Sequence, residues 1–406
     1  MKRPAKKTKV RHFIVPWSLF AGVVASFVAC CMAGKQTTKT HQLVHFTRFH
    51  QKLSPESLFY PTASQVQRLV LARTKKERIN VIIGGGSVLQ GTGQRFNEVW
   101  VDKLAELLGP DYRVVNLACR GARTGEFGAI AAEMVLDRRR VILLTDISPG
   151  VCEDDPDGYV YRYFFWDAWC KRLIDQSIPR RSARMAELRG ERISNSKFAE
   201  LLRGAQLDST LYFHDLWNTA TYTTGSAVWN PICQGESFQP RKLTRDNEPG
   251  ALPVAERPAA MERIVSFDKY KLNILKTAFK KGADGQWNAD AAWSEAFKIR
   301  MDNILPNIAL RQRTIVVVHQ FNAHCVNRLS EDEQAHLSAQ TFITSKVLAE
   351  LGIRSVEMRT AGLTEEDHAD HIHLSSSGGE KLGKIVAPAI RELAKSLGYE
   401  AGNEKK

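Results

Sequence analysis

Val81-Ile82-Ile83-Gly84-Gly85-Gly86-Ser87-Val88-Leu89-Gln90-Gly91-Thr92-Gly93 changes character halfway along. Its first three residues follow the polar run Lys75-Lys76-Glu77-Arg78 and are β-branched and apolar, as a parallel strand buried on both faces requires. The three glycines then permit a tight turn, because glycine tolerates positive φ and lets backbone approach backbone closely. The strand therefore ends with Ser87 at the carboxyl edge of a sheet, the edge where open α/β sheets place their sites. A plain structural reading stands beside this one, since many Gly/Ser turns only reverse the chain. A base for Ser87 elsewhere in the sequence would separate the two.

Asp367-His368-Ala369-Asp370-His371-Ile372-His373-Leu374-Ser375 supplies candidates. A hydroxyl becomes a useful nucleophile when an imidazole takes its proton and a carboxylate fixes that imidazole's tautomer. Asp370 and His373 are three residues apart, a spacing that can put both side chains on one side of a turn leading into a helix. Two other readings stay open here. The segment also reads as a solvated polar loop at a helix start, and its three histidines and two aspartates as a zinc site.

Three blocks together carry a resemblance. With Gly85-Gly86-Ser87 after the first strand, Val115-Asn116-Leu117-Ala118-Cys119-Arg120-Gly121-Ala122 after the second, and Asp370-x-x-His373-Leu374-Ser375 before the last helix, the sequence resembles the SGNH (GDSL-type) hydrolase superfamily over most of residues 79 to 398. The resemblance implies an α/β fold, a three-layer flavodoxin-like sandwich around a parallel sheet, in a membrane-anchored bacterial member with an insertion. It implies Ser87 as nucleophile and first oxyanion donor through its N–H, Gly121 as second donor, His373 as general base and Asp370 as the carboxylate that orients it. No metal or cofactor is expected. An ordinary α/β-hydrolase elbow, Gly-x-Ser-x-Gly, would need glycine where Leu89 stands.

One block departs from the family pattern. After its third strand the family usually carries Gly-x-Asn-Asp, whose asparagine completes the oxyanion hole, whereas here Val141-Ile142-Leu143-Leu144 runs into Thr145-Asp146-Ile147-Ser148-Pro149-Gly150. Losing one such donor costs about two to three orders of magnitude in turnover. Ser148, Asn322 or an asparagine of the insertion are the candidates to replace it.

With 406 residues and 43% hydrophobic content, the chain can bury a sizeable core and still carry additions. Its first twelve residues hold six Lys/Arg and no acid, and so account for six of the net +13 charges. A pI near 9.4 raises the question of nucleic acid, but no helix-turn-helix, finger or RNA-binding signature accompanies it, and no nucleic-acid partner is expected. Residues 13 to 33 carry no charge and are long enough to cross a bilayer as one helix. Preceded by Lys2, Arg3, Lys6, Lys7, Lys9 and Arg11, they read as a signal anchor that leaves the N-terminus in the cytoplasm and exports everything after Gly34. Cleavage near Cys31-Met32-Ala33 is the competing outcome.

Residues 1 to 34 thus read as basic tail and anchor, and 35 to 75 as a stalk with a short helix over Pro61 to Ala72. A helix within Arg95 to Leu108, a strand at Val114 to Leu117, a helix from Glu126 to Leu136 and a strand at Val141 to Leu144 give the alternation of a parallel sheet. Thr314 to Val318 resumes it, followed by a helix opening on a Ser330-to-Glu333 capping box and another after Ser377. The α/β domain spans 76 to 400, interrupted by a mostly helical insertion or cap over 151 to 305. In that insertion Tyr159, Tyr161, Tyr163, Phe164, Phe165, Trp166 and Trp169 read either as packing against the sheet or as a wall for sugar rings or an acyl chain. A bridge between Cys152 and Cys170 is sterically open at this stage.

The expected function is an extracytoplasmic, periplasmic serine esterase or O-acyltransferase working through an acyl-enzyme. It would act on an ester-bearing small molecule or glycan, with an O-acetyl group on a cell-envelope polysaccharide as the first expectation. The departing block motivates a second: a catalytically weak or inactive protein of this fold that binds envelope polysaccharide or an assembly partner.

Overall fold

The computed structural model describes residues 11–40, 63–94, 98–119, 122–149, 162–178, 279–285 and 287–399, together with six isolated positions between 202 and 216. The chain divides into two compact units. Met1–Val44, Phe49–Thr62 and Leu202–Leu243 make up one, and His45–Arg48, Ala63–Leu201 and Thr244–Lys406 the other. The stretch read as one insertion is therefore shared: residues 202–243 group with the N-terminal segment, the remainder with the sheet.

In the first unit helix α1 runs Arg11–Thr40. Its stretch Pro16–Ala33 is long and apolar enough to be a membrane anchor or signal sequence, and none of it is buried within the protein. Trp17, Leu19 and Phe20 are 66%, 69% and 61% exposed. Apolar surface left in water costs roughly 25 cal/mol per Å², so such a run suits hydrocarbon better than water. Within the same unit Phe27 stacks on Phe213, ring centroids 5.9 Å apart, and the Cys31 thiol donates to the Ser209 carbonyl.

The second unit is built on strands β1 (Ile79–Ile83), β2 (Tyr112–Asn116) and β3 (Arg140–Ile147), a short hairpin of β4 (Phe279–Lys281) and β5 (Trp287–Ala289), and strands β6 (Thr314–Val318) and β7 (Arg354–Glu357). Five of these form one sheet in the order β2-β1-β3-β6-β7, every pairing parallel. β4 and β5 pair antiparallel to each other. The chain leaves β1 in one direction and returns to β3 to continue in the other. A crevice therefore opens at the carboxyl ends of β1 and β3, where the order reverses.

Among the described residues its helices are α2 (Ala63–Arg73), α3 (Ser87–Gln90), α4 (Trp100–Leu108), α5 (Phe127–Glu133), α6 (Arg162–Cys170), α7 (Ala291–Ile304), α8 (Ile308–Arg311), α9 (Ala323–Val326), α10 (Glu331–Glu350) and α11 (Ser376–Ser396). Alternate residues of the strands, Ile79, Val81, Ile83, Ile142, Leu144, Ile315 and Val317, form one core with Trp100 and Leu104 of α4 and Leu382, Val386 and Ile390 of α11. The intervening Ile82, Leu143 and Val316 are also fully buried, so the sheet is covered on both faces, α5 and α10 packing on its strands as well. This is why the strands read as continuous apolar runs rather than alternating ones.

Several expected elements appear with shifted ends. β3 continues past Leu144 to Ile147, which places Asp146 inside the sheet rather than in a loop. α5 stops at Glu133 and is followed by a single 3-10 turn over Leu136–Arg138. The capping box is present: the Ser330 hydroxyl accepts from the Glu333 N–H while the Glu333 carboxylate accepts from the Ser330 N–H. β7 was not foreseen; it is an edge strand in which only Val356 is buried, so its sequence carries little apolar signal. Of the aromatic run, Phe164 packs on Phe127 of α5 with centroids 4.2 Å apart, and Phe165 lies against Trp169, all four buried. These favour the packing reading; Tyr159, Tyr161 and the side chains of Tyr163 and Trp166 lie outside the described residues. Cys152, and with it the bridge to Cys170, lies outside the described residues.

Candidate active site

The turn that carries Ser87 is shaped by two close approaches. At the end of β1 the Gly84 N–H donates to the Leu144 carbonyl, and Gly84 lies so near Gly128 of α5 that a Cβ on Gly128 would sit 2.2 Å from the Gly84 Cα. Gly85 follows at φ +90°, and a side chain there would occupy the place of the Asp146 carboxylate. Ser87 then opens α3, half-buried at the sheet edge. The turn after β2 is fastened to this one: the Cys119 N–H donates to the Gly85 carbonyl, and the Asn116 side chain accepts from the Ala118 N–H while donating to the Gln90 carbonyl of α3.

The expected base, His373, lies in the loop before α11. Asp370 Oδ1 accepts the backbone N–H groups of Ile372 (3.0 Å) and His373 (2.8 Å), a local turn that explains the three-residue spacing. The other oxygen is left for the ring, with His373 Nδ1 at 2.6 Å from Oδ2. Because a carboxylate only accepts, Nδ1 carries the proton and Nε2 presents its lone pair. That lone pair meets Ser87 Oγ at 2.6 Å. Gly93, at φ +91°, lets the end of the nucleophile segment lie flat against the loop, 2.6 Å separating its would-be Cβ from the Ala369 Cβ and 3.6 Å from the His373 Cβ.

Burial by itself would raise the Asp370 carboxyl, but the imidazoles of His371 and His373 and the Ile372 N–H outweigh it and hold the group far below the ordinary carboxylate range. His371 Nδ1 is 3.3 Å from Oδ1, near enough for attraction though not angled as a hydrogen bond. The remaining members of the segment are engaged separately. Asp367 binds Lys381 Nζ, the Thr364 N–H and the Ser377 hydroxyl, while His368 is buried with Nδ1 at 3.0 Å from the Thr364 carbonyl. Among the described residues no three His, Cys, Asp or Glu side chains are grouped to hold a metal ion, so the zinc arrangement is not formed there.

Of the expected oxyanion donors, the Ser87 N–H lies in the turn, and Gly121 falls outside the described residues between Cys119 and Ala122. Of the candidate replacements for the third donor, Asn322 and Ser148 lie among the described residues, together with Asn288 and Asn303 of the insertion. Asn322 is fully buried; its Nδ2 donates to the Asp370 carbonyl and its Oδ1 accepts from the His324 N–H, so it holds the acid's loop instead of facing a substrate. Ser148 Oγ lies 3.5 Å from His319 Nδ1, at the long limit of a hydrogen bond.

Two residues at this edge escaped the sequence reading. Asp146, 4% exposed, accepts the Gly86 N–H at 2.9 Å through Oδ1 and faces His319 Nε2 at 3.0 Å through Oδ2. The available signal was a charged or titratable residue closing each of two apolar strands, Val141 to Thr145 and Thr314 to Val318, at the sheet's carboxyl end. Compared with known proteins, the chain matches no protein-family model and no curated protein.

Proposed function

We propose that the protein is a membrane-anchored, SGNH-type serine esterase or O-acyltransferase with the flavodoxin-like three-layer fold of that superfamily. Its catalytic unit lies outside the cytoplasm, on the periplasmic side, and moves a short acyl group, acetyl foremost, on a cell-envelope polysaccharide. One observation carries the reading: the unbroken chain from Ser87 Oγ to His373 Nε2 at 2.6 Å and from His373 Nδ1 to Asp370 Oδ2 at 2.6 Å, assembled from segments 286 residues apart. The strand order and the uncharged stretch Pro16–Ala33 of α1 are what the fold and anchor would need.

In this reaction the Ser87 Oγ–H proton passes to His373 Nε2 as Oγ bonds to the ester carbonyl carbon, and the carbonyl electrons move onto oxygen. Collapse of that oxyanion expels the alcohol, which takes the proton back from His373, leaving an acyl-serine. Water or a sugar hydroxyl then gives its proton to Nε2 as it attacks the acyl carbon, and collapse of the second oxyanion releases Ser87 Oγ, which takes that proton back from Nε2. Asp370 keeps its charge throughout and stabilises the imidazolium. Hydrolysis and transfer differ only in the second acceptor.

A second reading, a weakly active or inactive relative that binds polysaccharide or an assembly partner, draws on the engagement of the Asn322 amide with the Asp370 carbonyl. The two part in one experiment on the detergent-solubilised full chain. A fluorophosphonate probe should label Ser87 and abolish p-nitrophenyl acetate hydrolysis, and Ser87→Ala should remove both. Folded protein whose Ser87 resists the probe, with esterase activity surviving Ser87→Ala, would exclude the enzyme reading.

A further inference from the structure

The loop after β6 touches both halves of the site. Its Asn322 holds the Asp370 turn, and its His319 reaches the opposite way, to Asp146 beneath the nucleophile turn. Asp146 and His319 are 4% and 8% exposed, and the carboxylate spends one oxygen on the Gly86 N–H and the other on the ring. Removing Gly85's freedom would close the space the carboxylate occupies, since a Cβ there would lie 2.0 Å from Oδ1. A neutral amide or hydroxyl would satisfy one backbone N–H equally well, and burying an ion-forming pair for that purpose alone is costly.

We propose that Asp146 and His319 are positioning residues for acyl transfer at Ser87, working as a hydrogen-bonded pair. The carboxylate fixes the Gly85–Gly86 peptide, and through it the direction of the Ser87 N–H. His319 Nε2 donates to the other carboxylate oxygen, so that an oxyanion does not form above an unpartnered anion. This rests on Ser87 being the nucleophile. The geometry gives the reason both partners are needed: the acceptor is one hydrogen bond from the residue preceding Ser87, close enough for its charge to oppose a second negative charge at the N–H.

The two roles predict different consequences for different substitutions. His319→Leu leaves the carboxylate without its donor and lowers kcat by about 10- to 100-fold, an order of magnitude set by like charges several ångströms apart in a partly buried site, with KM little changed. Asp146→Asn keeps an oxygen for the Gly86 N–H and removes the charge, so it costs less. The double variant Asp146→Asn/His319→Leu, with no buried anion left, turns over faster than His319→Leu alone. Asp146→Ala loses the acceptor itself and is about 10-fold slower than Asp146→Asn.

Each variant is measured as the full chain in detergent, by p-nitrophenyl acetate kinetics and by the rate at which the fluorophosphonate probe labels Ser87. Recovery in the double variant supports the pairing of the buried carboxylate by His319, and a double variant no faster than His319→Leu overturns it. Should His319→Leu fail to fold, the Asp146→Asn against Asp146→Ala comparison decides alone, equal rates overturning the Gly86 clamp. Wild-type protein that the probe does not label would count against Ser87 as nucleophile, whereas normal labelling with all four variants at wild-type rates would sink only the role of the pair.

Discussion

Gly93→Ala probes how closely the nucleophile segment and the base loop are fitted. A Cβ built on Gly93 lies 2.6 Å from the Ala369 Cβ and 3.1 Å from the Leu374 carbonyl oxygen, where carbon contacts ordinarily begin near 3.5 to 4 Å. Either the loop or the nucleophile segment must move by about 1 Å, and displacement on that scale in reacting groups costs about 100-fold. The φ of +91° adds strain of roughly 1 to 2 kcal/mol for a non-glycine residue, seen as a melting temperature lower by a few degrees. The strain can be separated from the clash, because Gly109, at φ +85°, has nothing within 4 Å of its would-be Cβ. Gly109→Ala should lose stability to a similar degree and keep its p-nitrophenyl acetate kcat. Adding Ala369→Gly to Gly93→Ala removes the 2.6 Å contact and should restore about 10-fold of the lost rate. Equal activities for Gly93→Ala and Gly109→Ala would refute the idea that this contact sets the Ser87–His373 distance.

Asp370→Asn should lower kcat by about four orders of magnitude: the amide oxygen is drawn to the Ile372 and His373 N–H groups, its NH2 faces Nδ1, and the ring is forced into the tautomer that cannot accept from Ser87, as steady-state kinetics would record. Burial works to raise the Asp367 carboxyl, but Lys381, the Thr364 N–H and the Ser377 hydroxyl win and bring it down to about 2. A group depressed in the folded state stabilises above its unfolded value and loses that contribution as pH falls through the folded one. Wild type should therefore exceed Lys381→Met by about 1 to 2 kcal/mol near pH 6, with allowance for the partly exposed lysine, and the gap in melting temperature should close by about pH 2; a gap unchanged with pH would contradict this. Asn322→Leu leaves the Asp370 carbonyl and His324 N–H without their partner and should cost about 1 to 3 kcal/mol together with much of the activity, measured by unfolding and esterase assay on the same preparation.

The sequence carried the triad because each part of it is local. An apolar strand broken by glycines fixes where Ser87 stands, and Asp370 reaches His373 within one turn, so neither depends on distant packing. That the two halves meet depends on the parallel sheet, which the alternating elements implied. The third strand was less legible. Its apolar run ends at Leu144, yet pairing with β6 carries it to Ile147, and only that extension sets Asp146 beneath Gly86 and beside His319. Asn322 could be noticed as an amide near the edge, but its commitment to the Asp370 carbonyl is a contact across 48 residues that no spacing rule foretells. β7 escaped for the reason edge strands often do: one buried valine among polar neighbours gives no period.

The central claim is that the alcohol on Ser87 takes the acyl group. Mixing the full chain with p-nitrophenyl acetate, stopping the reaction with acid within the first turnovers and mapping the peptides by mass spectrometry tests it directly. An acetyl group on Ser87 that disappears with continued turnover and never forms in His373→Ala is the predicted result. Turnover with no acetyl on Ser87, or with the acetyl carried by another residue, would contradict the account.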